Sequence, residues 1–269
     1  LEVESNPDDY DKASRETLNA FPTNFVDTTE DGSLSQYGFE IRSRPASYVE
    51  HVAAVTPFFQ AVRDGKLGQL SSFSNDTCGL HVHICRRGAN ETPFNTPEQN
   101  QAIWRLDQHA IALIVCFVNL PRNRRFIQTI AGRDANPYCG FGRKKMASAA
   151  INTGHKYEAV NLQHSASLEF RIFKGTLRLQ SFLKALEFVL ALSEFCKGLY
   201  NVRKATSLST FIRYVSENAS KYPHLDSFIS NRWYGKRDRN GNAQWRLVNN
   251  RKPPLPPIEH VSRMTGGEL

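Results

Sequence analysis

The sequence predicts an α+β fold built on a mixed or antiparallel sheet. Three observations carry this expectation: short stretches in which apolar and polar residues strictly alternate, longer stretches with helical spacing, and the order in which they come. Strand-like segments fall into an early and a late group with long helices between them, not into one-by-one alternation. With 269 residues, 40% apolar and 11% aromatic, the chain can bury a substantial core as one large domain, with or without a smaller appendage.

Taken in order, residues 1–5 read as a short strand. Residues 25–28 read as a second, leading to a turn at Asp31-Gly32-Ser33 that Asp31 initiates. Alternation returns over 37–43, 79–85, 157–162 and 167–173. Val49, Val52, Ala53 and Ala61 at helical spacing predict a helix over 47–63, which Pro57 should kink or split. Thr96-Pro97-Glu98-Gln99 reads as a helix start, with threonine as cap, proline in the first turn and Gln99 closing a capping box. That helix should run through Trp104 and Ile111 to about residue 118. Two more are expected over 180–200 and 208–217. The proline cluster Pro253, Pro254, Pro256 and Pro257 should be extended.

Composition excludes several classes. The longest apolar run, 110–118, is far short of the ~20 residues a membrane span needs, and no basic-then-apolar leader opens the chain. Leu1 already reads as strand, so residues are expected ahead of it. Cys78, Cys85, Cys116, Cys139 and Cys196 are odd in number and lack short paired spacing. They should be free thiols rather than a disulfide framework or zinc knuckle, which suits a reducing cytoplasm. The net charge of +8 is concentrated late: residues 221–252 hold eight basic residues against Asp226 and Asp238. This predicts a catalytic domain over 1–220 followed by a basic, proline-containing extension over 221–269. Residues 221–252 could meet nucleic acid or another acidic partner, although a solvated face is the commoner meaning of such a run.

The chemistry lies in the alternation, because side chains two apart on a strand share a face. Glu2 and Glu4 oppose Leu1 and Val3. Glu40 and Arg42 oppose Phe39 and Ile41. His81 and His83 oppose Leu80, Val82 and Ile84, and Glu169 and Arg171 oppose Leu168, Phe170 and Ile172. Ordinary solvated strand faces favour threonine, serine and lysine. Here the polar slots hold four carboxylates, two imidazoles and two guanidiniums. Carboxylates gathered on one surface repel each other and call for cations, and an oxygen-rich site with a lone imidazole suits Mg²⁺ or Mn²⁺ rather than zinc.

Over residues 1–200 these motifs, in this order, resemble the amidoligase family of carboxylate–amine ligases. The motifs are Leu-Glu-Val-Glu, then Asp31-Gly32-Ser33-Leu34 with Gly38-Phe39-Glu40, then Gly79-Leu80-His81-Val82-His83. Tyr157-Glu158-Ala159-Val160-Asn161-Leu162 and Leu168-Glu169-Phe170-Arg171-Ile172-Phe173-Lys174-Gly175-Thr176 complete the series. The resemblance implies the glutamine synthetase-like catalytic fold, a curved antiparallel half-barrel packed against helices. It implies binding of ATP and Mg²⁺ or Mn²⁺, and amide or peptide-type bond formation between a small-molecule or peptide carboxylate and an amine through an acyl phosphate. By motif position, Glu2, Glu4, Glu40, His81 and Glu169 resemble the metal ligands, His83 a phosphate contact, and Arg171 the arginine that steadies the transferring phosphoryl group. Glu169 and Arg171 would be the catalytic pair. Where relatives carry an arginine before the tyrosine, this chain has Lys156, which keeps the charge but loses bidentate recognition. Lys156 and Arg133 are candidates for nucleotide contact, and Asn161 for ordering the site. Phosphoryl transfer to a guanidino or other nitrogen acceptor, and a non-enzymatic binding role for the basic segment, are the alternatives.

Overall fold

The computed structural model describes residues 1–5, 10–32, 34–74, 77–86, 106–142, 156–197, 199, 201–237 and 243–247, with the backbone alone for 233–237 and 243–247. The expected cap at Thr96–Gln99, Trp104, the proline cluster and much of the basic segment lie outside these residues. The architecture is mixed α+β. Two small antiparallel three-stranded sheets, neither of them closed, pack against helices. The described residues divide into two compact units, one drawn from 1–80 and 174–184, the other from 81–173 and 185–247.

In the first unit the sheet order is β1-β3-β2, from Glu2–Glu4 (β1), Val26–Glu30 (β2) and Gly38–Ser43 (β3). Register pairs Glu2 with Glu40 and Val3 with Phe39, so the alternation read from sequence is realised: Val3, Phe39 and Ile41 are buried. Helix α1 (Tyr10–Asn19) escaped the sequence reading because it buries only Ala13 and Thr17 and leaves Leu18 exposed. It is tied to β2 by Ser14 and Thr28, whose hydroxyls are 2.7 Å apart.

Helix α2 (Tyr48–Arg63) starts at Ser47, where a capping box with Glu50 satisfies both amides. Two expectations for it need correction. Pro57 does not split the helix, because it is exposed and the carbonyl it leaves without an amide belongs to exposed Ala53, where water can serve. The buried face is also not the expected stripe. Ala54, Val55, Phe58 and Phe59 are buried while Val49 is exposed. The two phenylalanines carry the larger apolar area and set the rotation of the helix. Phe58 stacks on Phe21 at 4.8 Å, and Phe59 meets Phe182 at 5.1 Å.

The second unit contains most of the sheet β4-β6-β5, from Gly79–Cys85 (β4), Val160–Asn161 (β5) and Ser167–Lys174 (β6), all but Gly79, Leu80 and Lys174. β5 is shorter than the stretch 157–162 expected. Helix α3 (Gln108–Asn119) is capped by Asp107, whose carboxylate accepts from the Ala110 amide at 2.7 Å. The long helix expected over 96–118 is corrected here: Leu106 is not helical and its amide bonds Arg86 O. Every residue from Ala110 to Asn119 is buried, so α3 is internal beyond its first two residues. A 3₁₀ turn at Pro121–Asn123 leads into α4 (Arg124–Ala131). Next come α5 (Leu179–Lys197), α6 (Val202–Ala205), α7 (Leu208–Glu217) and α8 (Pro223–Arg232), then a hairpin of Trp233–Arg237 (β7) and Ala243–Leu247 (β8). Phe211 of α7 is the hub of this core, with ring centroids 5.1–6.1 Å from Phe117, Phe126, Phe188 and Phe195. Phe188 of α5 also meets Phe173 of β6, which joins the helices to the sheet.

Two carboxylates on α5 hold the following chain. Glu187, with no exposed surface, accepts from the Leu225 amide at 2.8 Å and faces His224 Nδ1 at 2.7 Å, capping α8. Glu194 bonds Lys221 at 2.6 Å together with the Tyr214 and Tyr222 hydroxyls. Tyr222, Leu225 and Ile229 are buried members of the second unit, and Lys221, half exposed, is paired with Glu194. Replacing Glu187 by alanine strands the Leu225 amide and His224, and is expected to cost about 3 kcal/mol, read as a lower urea midpoint at unchanged slope. Gly175 allows a similar check within the first unit. A Cβ there would lie 2.2 Å from Ser72 Oγ and 3.1 Å from Cys78 Cβ, so Gly175→Ala is expected to cost roughly 1–3 kcal/mol by overpacking.

Candidate functional site

Each unit gathers part of the expected set. In the first, the register of β1 and β3 sets Glu2 directly across from Glu40, and directly opposed residues share a face. Glu2 is almost fully buried. Its carboxylate accepts a short hydrogen bond from the Gly79 amide, and its main-chain oxygen accepts from Ser72 Oγ at 2.8 Å. Burial pushes the Glu2 carboxyl above the usual carboxylate range, Asp31 and Glu40 push it further, and the Gly79 amide opposes them. Glu4 Oε1 accepts from the Ser35 amide at 3.4 Å and Thr77 Oγ1 at 3.3 Å. Arg42 is turned to other use: it forms an exposed pair with Asp27, its register partner on β2. Asp31 O accepts from the Leu34 amide, as its expected turn requires.

In the second unit, β4 presents His81 and His83 while β6 presents Glu169 and Arg171. The Glu169 side chain is only 4% exposed, yet five groups converge on it. Arg171 donates to Oε1 at 2.5 Å, and Asn161, its register neighbour on β5, donates to Oε2 at 2.7 Å. The amide orientation of Asn161 is supported by its Oδ1 accepting from the Gln163 amide. His81 Nδ1 lies 3.3 Å from Oε1, His83 Nε2 lies 4.0 Å from Oε1, and His164 Nε2 lies 3.4 Å from Oε2.

Burial holds His81 well below the ordinary histidine range, and the Arg171 charge adds to the effect. The ring is therefore neutral at pH 7. A neutral imidazole with Nδ1 at this distance can donate its N–H to Glu169 without adding charge. His83 is also lowered by burial, with Glu169 opposing.

Arg133 follows Gly132, which ends α4 in the left-handed conformation at φ 77 and so directs the next residue away from the helix axis. Its guanidinium donates to the main-chain oxygens of Arg171 and of Ile172, the latter at 3.2 Å. It thus braces β6 from behind. Lys156 is exposed, with its ammonium 4.9 Å from the centre of the Tyr157 ring. Burial pushes the Cys139 thiol up to about 11, so it stays a thiol.

His164 was not singled out from sequence. It lies in the loop between β5 and β6, where no alternation marks a face. The only hint was its place three residues after Asn161 and five before Glu169.

The metal fit is governed by these bonds. Among the described residues, no group of three or more His, Cys, Asp or Glu side chains is placed to hold a metal ion. In the second unit the reason is visible, since Arg171 and Asn161 occupy the two Glu169 oxygens toward which the imidazoles also point. Of the five residues resembling metal ligands, Glu2, Glu4 and Glu40 belong to the first unit, and His81 and Glu169 to the second.

The neutral His81 gives a pH signature. Its folded pKa lies below the ordinary value of 6.5, so below that value the unfolded chain binds the proton more readily and stability falls with acid. Above it the contribution vanishes. Urea midpoints measured from pH 7.5 down to about 5.5 should fall, and His81→Gln should flatten the slope. An unchanged slope in the variant would remove His81 as the cause.

No family model matches the sequence, and neither a curated protein nor a solved structure matches it.

Proposed function

We propose that the chain is an ATP-dependent carboxylate–amine ligase of glutamine synthetase-like fold, forming an amide or peptide-type bond through an acyl phosphate. The observation that supports this reading most is the Glu169 cluster. One strand face carries an arginine locked to a buried carboxylate, with two half-exposed imidazoles, His83 and His164, beside it.

Phosphoryl transfer needs positioning and charge neutralisation more than covalent help. In this reading Arg171, held in place by Glu169, presents its remaining N–H donors to the phosphoryl oxygens. His83 supplies a further donor at the exposed edge. The substrate carboxylate attacks the γ-phosphorus and ADP leaves. The amine then attacks the acyl carbon, phosphate departs, and no serine or cysteine nucleophile is called for. By the resemblance, a divalent ion would accompany the nucleotide and offset its phosphate charge, with Glu2, Glu4 and Glu40 as candidate ligands in the first unit and His81 and Glu169 in the second.

Calorimetry with ATP and Mg²⁺ tests the reading, with a Kd below about 1 mM expected. Arg171→Lys keeps the charge but loses the planar fork, and should weaken ATP about tenfold while leaving the urea midpoint close to wild type. ADP release should require a carboxylate and an amine together. Absence of any ATP or Mg²⁺ binding would end the enzyme reading.

A further inference from the structure

The Arg171 guanidinium has a second neighbour that the ligase reading does not use. Its carbon lies 5.7 Å from the centre of the Tyr157 ring, and its Nε donates to Tyr138 O at 3.4 Å. Tyr138 and Tyr157 meet edge to face, with centroids 5.6 Å apart at 82°. Both keep more than a third of their surface exposed, at 38% and 37%. The main chain holds the two rings together. The Gly140 amide donates to Tyr157 O at 2.7 Å, and the Ala159 amide returns a bond to Gly140 O at 2.9 Å. The Arg171 amide then joins this ladder through Ala159 O at 3.1 Å. Asn136 fixes the Tyr138 amide from the other side.

Two rigid, half-exposed aromatic rings flanked by an arginine and by Lys156 form a surface for a flat ring that carries negative charge. Stacking satisfies the ring faces, and the cations favour an anionic ligand over a cationic one. We propose that Tyr138 and Tyr157 form the platform that stacks the nucleobase of a nucleoside polyphosphate, with its phosphates running toward Arg171. Lys156, on a flexible stem over the Tyr157 ring, yields the ring to the base and turns its ammonium to the phosphates. This inference rests on the ligase reading and adds to it that the donor is recognised by its base as well as by its phosphates.

The test compares ATP with inorganic tripolyphosphate, which has the phosphates without the base, by calorimetry on the full chain with Mg²⁺. Wild type should bind ATP at least about tenfold more tightly than tripolyphosphate. Tyr157→Leu should erase that difference by weakening ATP alone. Equal wild-type affinity for the two ligands overturns the platform and leaves the ligase reading standing. A Tyr157→Leu variant that weakens both ligands equally also overturns it, because Tyr157 would then serve only to orient Arg171. If neither ligand binds, both readings fall. The wild-type comparison decides the matter even if the variant does not fold.

Discussion

A buried carboxylate must be compensated, and in the second unit that requirement organises everything around Glu169. An isolated carboxylate with so little exposure would be protonated or would unfold its surroundings. Arg171 supplies the charge, Asn161 fills the other oxygen, and the neutral His81 can donate a hydrogen bond without adding charge. Arg171 in turn is fixed by Tyr138 O, by the Tyr157 ring and by Arg133 bonding its own main-chain oxygen. The guanidinium that the proposed reading gives to phosphoryl transfer is therefore held by bonds within the protein itself, the kind of arrangement in which electrostatic stabilisation needs little reorganisation.

The same logic recurs away from the site. Glu187 and Glu194, seven residues apart on one helix, take buried or half-buried polar partners from the segment that follows α7. The core around Phe211 supplies the apolar burial, while the two carboxylates specify which segment docks there and in which orientation. In the first unit Glu2 plays a comparable part. It is buried on the polar face of its strand and accepts the Gly79 amide, a bond made within that unit.

Alternation made the strand faces legible. The ranges 79–85 and 167–173 and the helix over 208–217 match the structure within a residue, because each has a clean period and clear ends. The pairing of Glu2 with Glu40, and the convergence of His81, His83, Glu169 and Arg171, follow from those faces. What escaped the reading had no periodic signature. Helix α1 buries two small residues. The true stripe of α2 was set by Phe58 and Phe59, not by the smaller aliphatics. Asp107 caps α3 in a stretch where helical spacing appeared continuous. His164 and Arg133 reach their places from loops, through a left-handed glycine in one case, and tertiary geometry of that kind leaves no pattern in a linear sequence.

The claim on which the account turns is that Glu169 and Arg171 act as one unit. A double-mutant cycle with Glu169→Gln and Arg171→Leu, followed by urea unfolding, measures that directly. The account predicts a coupling of at least about 1.5 kcal/mol, because either single change leaves a desolvated charge or donor behind. Effects that add to within roughly 0.5 kcal/mol would show that the two side chains are independent and would contradict it.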